Sequence, residues 1–153
     1  MDWRRVSKGF LGVVAAGAIG TSGLSVAADN AFTDSMKRAL EALQPLLIAL
    51  VNGDHEDALR SIDPIIEHAI MLNRTIPDDV KEDRDEYSIR AYYLLQNAES
   101  LKSTIEKIVQ NEKLPADEAE RTTFLPAVAS AHYGGMVTMC VACHTRFRFP
   151  IEP

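Results

Sequence analysis

Apolar residues recur at helical spacing along most of this chain, and that periodicity excludes most alternatives to an all-α fold. Phe32, Met36, Leu40, Leu43, Leu47 and Leu50 follow one another at intervals of four, four, three, four and three residues, which stacks them on one side of a helix. Asn52 and Gly53 end that helix, and Pro45 inside it is expected to bend it, because proline removes a backbone donor. Asp54 reads as the N-cap of a second helix, with Asp57 three residues on as a weak capping box. Its apolar face runs through Ala58, Ile62, Ile65, Ile66, Ala69 and Leu72, with a bend expected at Pro64. Residues 73–86, NRTIPDDVKEDRDE, read as a polar, acidic loop: a solvated connection, or more sharply a docking surface for a basic partner.

A third helix is expected over about residues 85–111, with Ala91, Leu94, Leu95, Ala98, Leu101, Ile105 and Ile108 inward. The last begins near Pro115 or restarts at Thr123 and continues to about Phe147, with Leu125, Val128, His132, Met136, Met139 and Cys143 on one face. No strand pair, internal repeat or low-complexity tract interrupts the pattern. Four amphipathic helices with short connections predict an all-α, antiparallel four-helix bundle over residues 29–153, in which the first and last helices are neighbours.

The first 28 residues differ from the rest. Arg4, Arg5 and Lys8 precede the apolar run FLGVVAAGAIG, and SVAA offers small residues for cleavage near Ala27 or Ala28. This is the pattern of a secretory signal peptide, too short and glycine-rich in its apolar core to serve as a comfortable membrane span. Its removal leaves 13 basic and 21 acidic residues, a formal charge of −8. Such a chain has no electrostatic reason to bind nucleic acid or an anionic membrane, and would steer a basic partner protein toward itself. No other segment is apolar enough to span a membrane once the signal is removed.

The chemistry concentrates in MVTMCVACHTRFRFPIEP, where Cys140, Cys143 and His144 spell C-x-x-C-H with the only two cysteines present. This is the attachment signature of c-type haem: two thiols about one helical turn apart add to the porphyrin vinyl groups, and the next imidazole reaches the iron. A zinc site wants two further ligands at suitable spacing, and no third cysteine exists. A thiol redox pair wants C-x-x-C at the start of a helix after a strand, not at the close of a helical stretch. A disulfide between residues this close would stabilise little. The expected cofactor is therefore one covalent haem c with its iron, and export agrees with attachment outside the cytoplasm. Residues 145–153 hold neither Met nor His, so a second iron ligand is expected from upstream.

With these features the chain resembles the class II cytochromes c, the cytochromes c′ and their low-spin, methionine-ligated relatives. The resemblance covers length, helical pattern, the ending at Cys140, Cys143, His144, Phe147 and Arg148, and the first-helix stretch MKRALEALQPLLIALVNGD. It implies a periplasmic monohaem protein, often a homodimer packed through its first two helices. Members with methionine at the position of Met36 are six-coordinate electron carriers that exchange electrons with a redox partner protein. Those with another residue there are five-coordinate, high-spin, and bind NO or CO. A methionine on an apolar stripe is also an ordinary core filler, so periodicity alone does not decide for Met36; the resemblance implies ligation by His144 and Met36.

Leu40, one turn on, is expected to cover the distal face, Met136 and Met139 to line the pocket wall, and Phe147 to pack beneath the haem. Arg148 and Arg146 are candidates for a propionate or for the neighbourhood of His144, or are simply exposed cations. His132 reads as a hydrogen-bonded core residue, His55 as exposed, and His68 as a lesser candidate for the ligand position. Gly134 and Gly135 suggest close approach by the haem or a neighbouring helix, since glycine in a helix otherwise costs stability. Pro45, Pro64 and Pro126 threaten straight bundle geometry. No nucleophile–base or paired-carboxylate constellation suggests an enzyme.

Overall fold

The computed structural model describes residues 22–114 and 124–147. Within them the chain is helical: α1 (Ser22–Asn52), α2 (His55–Arg74), a 3₁₀ segment (Asp78–Asp83), α3 (Arg84–Asn111) and α4 (Leu125–Phe147). The export signal assigned to residues 1–28 lies outside the described residues as far as position 21, and Arg148 lies outside them too. None of the described helices is long and apolar enough to cross a membrane.

Local signals place the boundaries. Gly53 takes φ 71°, a left-handed conformation that a side chain would strain, so α1 closes there and the Asp54 amide turns back to the carbonyl of Ala49 at 2.9 Å. Asp54 then caps α2, accepting from the Asp57 amide at 3.0 Å. Pro45 and Pro64 both lie inside α-helix. Each leaves the carbonyl four residues earlier without a donor, but those residues, Glu41 and Arg60, are exposed where water can serve. Pro126 is the second residue of α4, in the first turn where proline is tolerated.

α1 packs against α2, α2 against α3, and α3 against α4, giving a bundle-like fold. Its core is built from Leu46, Ala58, Ile62, Ile65, Ala69, Tyr87, Ala91, Leu94, Ala98, Leu101, Ile105 and Met136. The inward faces expected for α2 and α3 are the buried ones, with Ile66 and Leu95 half-buried at their edges. α1 departs from expectation. Its fully inward line is Ser35, Ala39, Ala42, Leu46 and Ala49, while Leu40 and Leu47 are 51% and 42% exposed. Small side chains let α1 come close to α2, so the contact uses the alanine line and turns the bulky stripe partly away. Phe32, Met36, Leu43 and Leu50 lie about a quarter-turn round the helix from that line. There Tyr133 of α4 donates to the Leu43 carbonyl at 3.3 Å, although α1 and α4 share no extensive packing.

The stretch read as a solvated acidic loop is also more ordered than expected. It contains the 3₁₀ segment, pinned because Val80 is buried and its amide reaches the Pro77 carbonyl at 3.2 Å.

In the haem-free chain, Leu46→Ala should cost about 2–5 kcal/mol, the usual range for a buried leucine. Leu40→Ala should stay within about 0.5 kcal/mol, as an exposed position does. Urea unfolding followed by helical circular dichroism checks both.

Candidate functional site

The last three turns of α4 carry the motif. Cys143 is buried and Cys140 half-buried, both on the side of the helix that holds Met136, which has no exposed surface. Both cysteines are free thiols. Burial pushes the Cys140 thiol up to about 11, with Cys143 adding to the shift; burial also raises Cys143, against an opposing pull from Arg90. These are protonated thiols, unlike the lowered thiol that a redox-active C-x-x-C pair needs. No group of three or more His, Cys, Asp and Glu side chains that could hold a metal ion occurs among the described residues, so a zinc site made by protein alone finds no ligand set there.

His144 is half-buried one residue beyond Cys143. Its charge is felt by His68 of α2, which is itself 8% exposed. Burial first, and then the His144 charge, lowers His68 to about 4 and so keeps it neutral at physiological pH. Ser35, next to Met36 on α1, is 1% exposed, and its Oγ lies 2.9 Å from His68 Nδ1, 2.8 Å from the Phe32 carbonyl and 3.2 Å from Met71 Sδ. The Phe32 ring meets the His68 ring edge-on at 5.8 Å. A small polar cluster thus joins α1 to α2, and the motif's histidine acts on it through its charge. Only His68 in it was visible as a candidate from sequence. Ser35 carries no chemical signal of its own, and Met71 lies off the α2 apolar face.

On the other flank, Phe147 packs on Tyr87 of α3 at 5.6 Å. Tyr87 was not singled out from sequence, yet among the described residues it is the largest fully buried side chain; its helical spacing to Ala91 and Leu94 was the available signal. Its hydroxyl donates to the Thr75 carbonyl at 3.2 Å, and burial, aided by Cys143, raises its pKa well above the ordinary phenol value. Arg146 is not a spare cation: it binds Asp83 at 2.9 Å and Glu86 at 3.1 Å, and Glu86 also binds Arg90. Hydrogen bonding from Arg90, followed by Arg146, keeps Glu86 ionised. Part of the acidic connection is therefore spent on fastening the end of α4 to the start of α3.

Met36 is half-buried and Leu40 exposed, on the α1 side toward Tyr133. Met139 is half-buried against the core, and His132 is half-buried on α4. His55, expected to be exposed, is half-buried at the α1–α2 turn; Glu112 Oε1 lies 2.7 Å from its Nδ1 without forming a hydrogen bond to it. Of the glycine pair, Gly135 sits so close to Asn97 of α3 that an added Cβ would clash with the amide, while Gly134 has open space. Gly135 thus serves helix approach.

The donor chemistry suits a covalently attached haem. Cys140 and Cys143 could carry it and His144 could bind its iron. Comparisons of the chain with protein-family models, with curated proteins and with solved structures return no match.

The neutral state of His68 has a stability consequence. Its folded value, about 4, lies below the ordinary 6.5, so the unfolded chain binds more protons between the two. Stability is fully present above about pH 6.5 and falls as pH drops toward 4, by at most about 3 kcal/mol. Urea unfolding of the haem-free chain at pH 7 and pH 5 should show this loss, and His68→Phe should remove that share of it.

Proposed function

We propose that this chain is an exported, periplasmic c-type cytochrome of the class II kind, a single-haem carrier of single electrons and not an enzyme. The observation that carries the reading is the C-x-x-C-H motif on one face of α4, where Cys143 is buried, Cys140 half-buried, and both thiols are protonated beside His144. When bound, haem c supplies the one-electron ferric–ferrous couple. The protein's part is to hold it through Cys140 and Cys143, bind iron through His144, and exclude water with Met136, Phe147, Tyr87 and the α1 stripe. Met36 is the proposed sixth ligand, its neutral thioether favouring ferrous iron and raising the potential. Leu40, exposed in the haem-free chain, would be covered on loading.

Cross-helix contacts support the antiparallel arrangement this fold requires. Ser35 reaches His68 and Met71 while Arg38 reaches Glu67; Asn73 reaches Ala91 while Asp63 reaches Lys102; and Glu86 reaches Arg146 while Gly135 abuts Asn97. In each pair the numbers run in opposite directions. The acidic surface favours a redox partner protein with a basic face, and offers nothing to nucleic acid. The exposed Leu40, Leu47, Ile48 and Val51 of α1 are compatible with the homodimer that the class II resemblance implies.

A second reading is a five-coordinate cytochrome c′ that binds NO or CO. It is favoured by the absence of Met36 from the residues packed on the core, which leaves the distal side less committed than the His144 side.

Co-expressed with a haem-attachment system and exported, the wild-type chain should retain haem after acid–acetone extraction. Cys140→Ser/Cys143→Ser should lose it. The electron-carrier reading expects a low-spin spectrum with a methionine-to-iron charge-transfer band that disappears in Met36→Leu, and no change on adding CO. A high-spin wild-type spectrum that shifts with CO would move the assignment to gas binding.

A further inference from the structure

We infer that the face shared by α3 and α4 is the docking surface for a basic redox partner protein, with an apolar, aromatic centre at Ile89, Tyr92, Tyr93 and Val141 and carboxylates at its ends. That the partner exchanges electrons rests on the haem reading above, whereas the place of docking rests on this surface alone.

Helical spacing builds the centre. Ile89, Tyr92 and Tyr93 stand three and four residues apart on the solvent side of α3, opposite the buried Tyr87, Ala91, Leu94 and Ala98. Each is more than half exposed, and so is Val141 of α4. The Tyr92 and Tyr93 rings meet edge-on at 5.7 Å and make one aromatic surface. α3 and α4 run side by side here, since Gly135 abuts Asn97 and Arg146 binds Glu86. Between those contacts Arg90 faces Val137, Thr138, Val141, Ala142 and Thr145 across an open groove. Exposed tyrosines among apolar and uncharged neighbours have the composition of an interface centre. Val141 and Ala142 are the two residues between Cys140 and Cys143, so a protein seated on this face reaches the motif itself.

The charges at the edges select the partner. Along the exposed line of α3, Asp85 lies one turn before Ile89 and Glu99 two turns after Tyr92, about 21 Å apart along the axis, and both are exposed. The stretch 78–86, which leads into α3, carries six acidic residues against two basic ones. The two cations bordering the groove, Arg90 and Arg146, are engaged by Glu86 and Asp83 and do not oppose a positive partner. A protein with lysines around an apolar contact point therefore meets carboxylates at both ends of the centre. A second copy of this chain, paired face to face about a two-fold axis, would set Asp85 and Glu99 against the same carboxylates, which disfavours a homodimer through this surface.

The test titrates a lysine-rich cytochrome c of the mitochondrial type, as the basic probe, into the isotope-labelled, haem-loaded ferrous protein at low and at physiological salt. Amide shift changes should cluster on residues 85–99 and 137–146, and binding should weaken with salt. Ile89→Gln/Tyr93→Gln should weaken binding about tenfold, the scale of a lost interface anchor. Asp85→Lys/Glu99→Lys should weaken it and flatten its salt dependence. All four side chains are exposed, so helical circular dichroism should be unchanged in both variants. Shift changes centred on Leu40, Leu47 and Ile48 of α1, failure of the probe to bind, or binding that both variants leave intact overturns the inference. So do shift changes that appear on this face when the protein is concentrated alone, because they assign it to a second copy. Wild type without covalent haem removes the electron-carrier reading, and the same titration of the haem-free chain then decides the docking surface by itself.

Discussion

The close approach of α1 to α2 through Ser35, Ala39, Ala42 and Ala49 is the contact on which the arrangement of the site depends. A helix has room for more than one apolar line, and the neighbour that comes nearest takes the one with the smallest side chains, because burial and dispersion both reward short interaxial distance. Once α2 has taken the alanine line, Phe32, Met36, Leu43 and Leu50 lie about a quarter-turn away and only half-buried, and Leu40 and Leu47 beyond them meet solvent. Phe32 still meets His68 of α2, while the Leu43 carbonyl is reached by Tyr133 of α4.

The α4 side is held from a different direction. Phe147 is seated on Tyr87, and Arg146 ties the last turn to Asp83 and Glu86. The ion pairs are exposed and individually weak, but together with the aromatic contact they fasten the last turn of α4, which follows His144, to α3 and the acidic connection. α4 is thus fastened chiefly to α3, while its described link to α1 is the Tyr133 hydroxyl on the Leu43 carbonyl.

Between these two halves sits the Ser35–His68 pair. Burying an imidazole costs free energy unless its polar atoms are satisfied, and here one is satisfied and the ring is kept neutral.

The sequence by itself determined the helical class, the four helices, the Asp54 cap, the Gly53 stop, and the inward faces of α2 and α3. These follow from local periodicity and backbone chemistry that each segment carries alone. The motif at Cys140, Cys143 and His144 was equally legible, because its spacing is its chemistry. Tertiary structure decided which of the two apolar lines of α1 turns inward, since that depends on how closely a neighbour can approach and not on which line is more hydrophobic. It likewise decided that Arg146 is engaged by Asp83 and Glu86, that Val80 orders the acidic connection, and that Tyr87 and the Ser35–His68 pair flank the motif. Apart from Val80, whose own amide bond is local, these join residues dozens of positions apart, and no local pattern in a single chain encodes which distant partner a side chain will find.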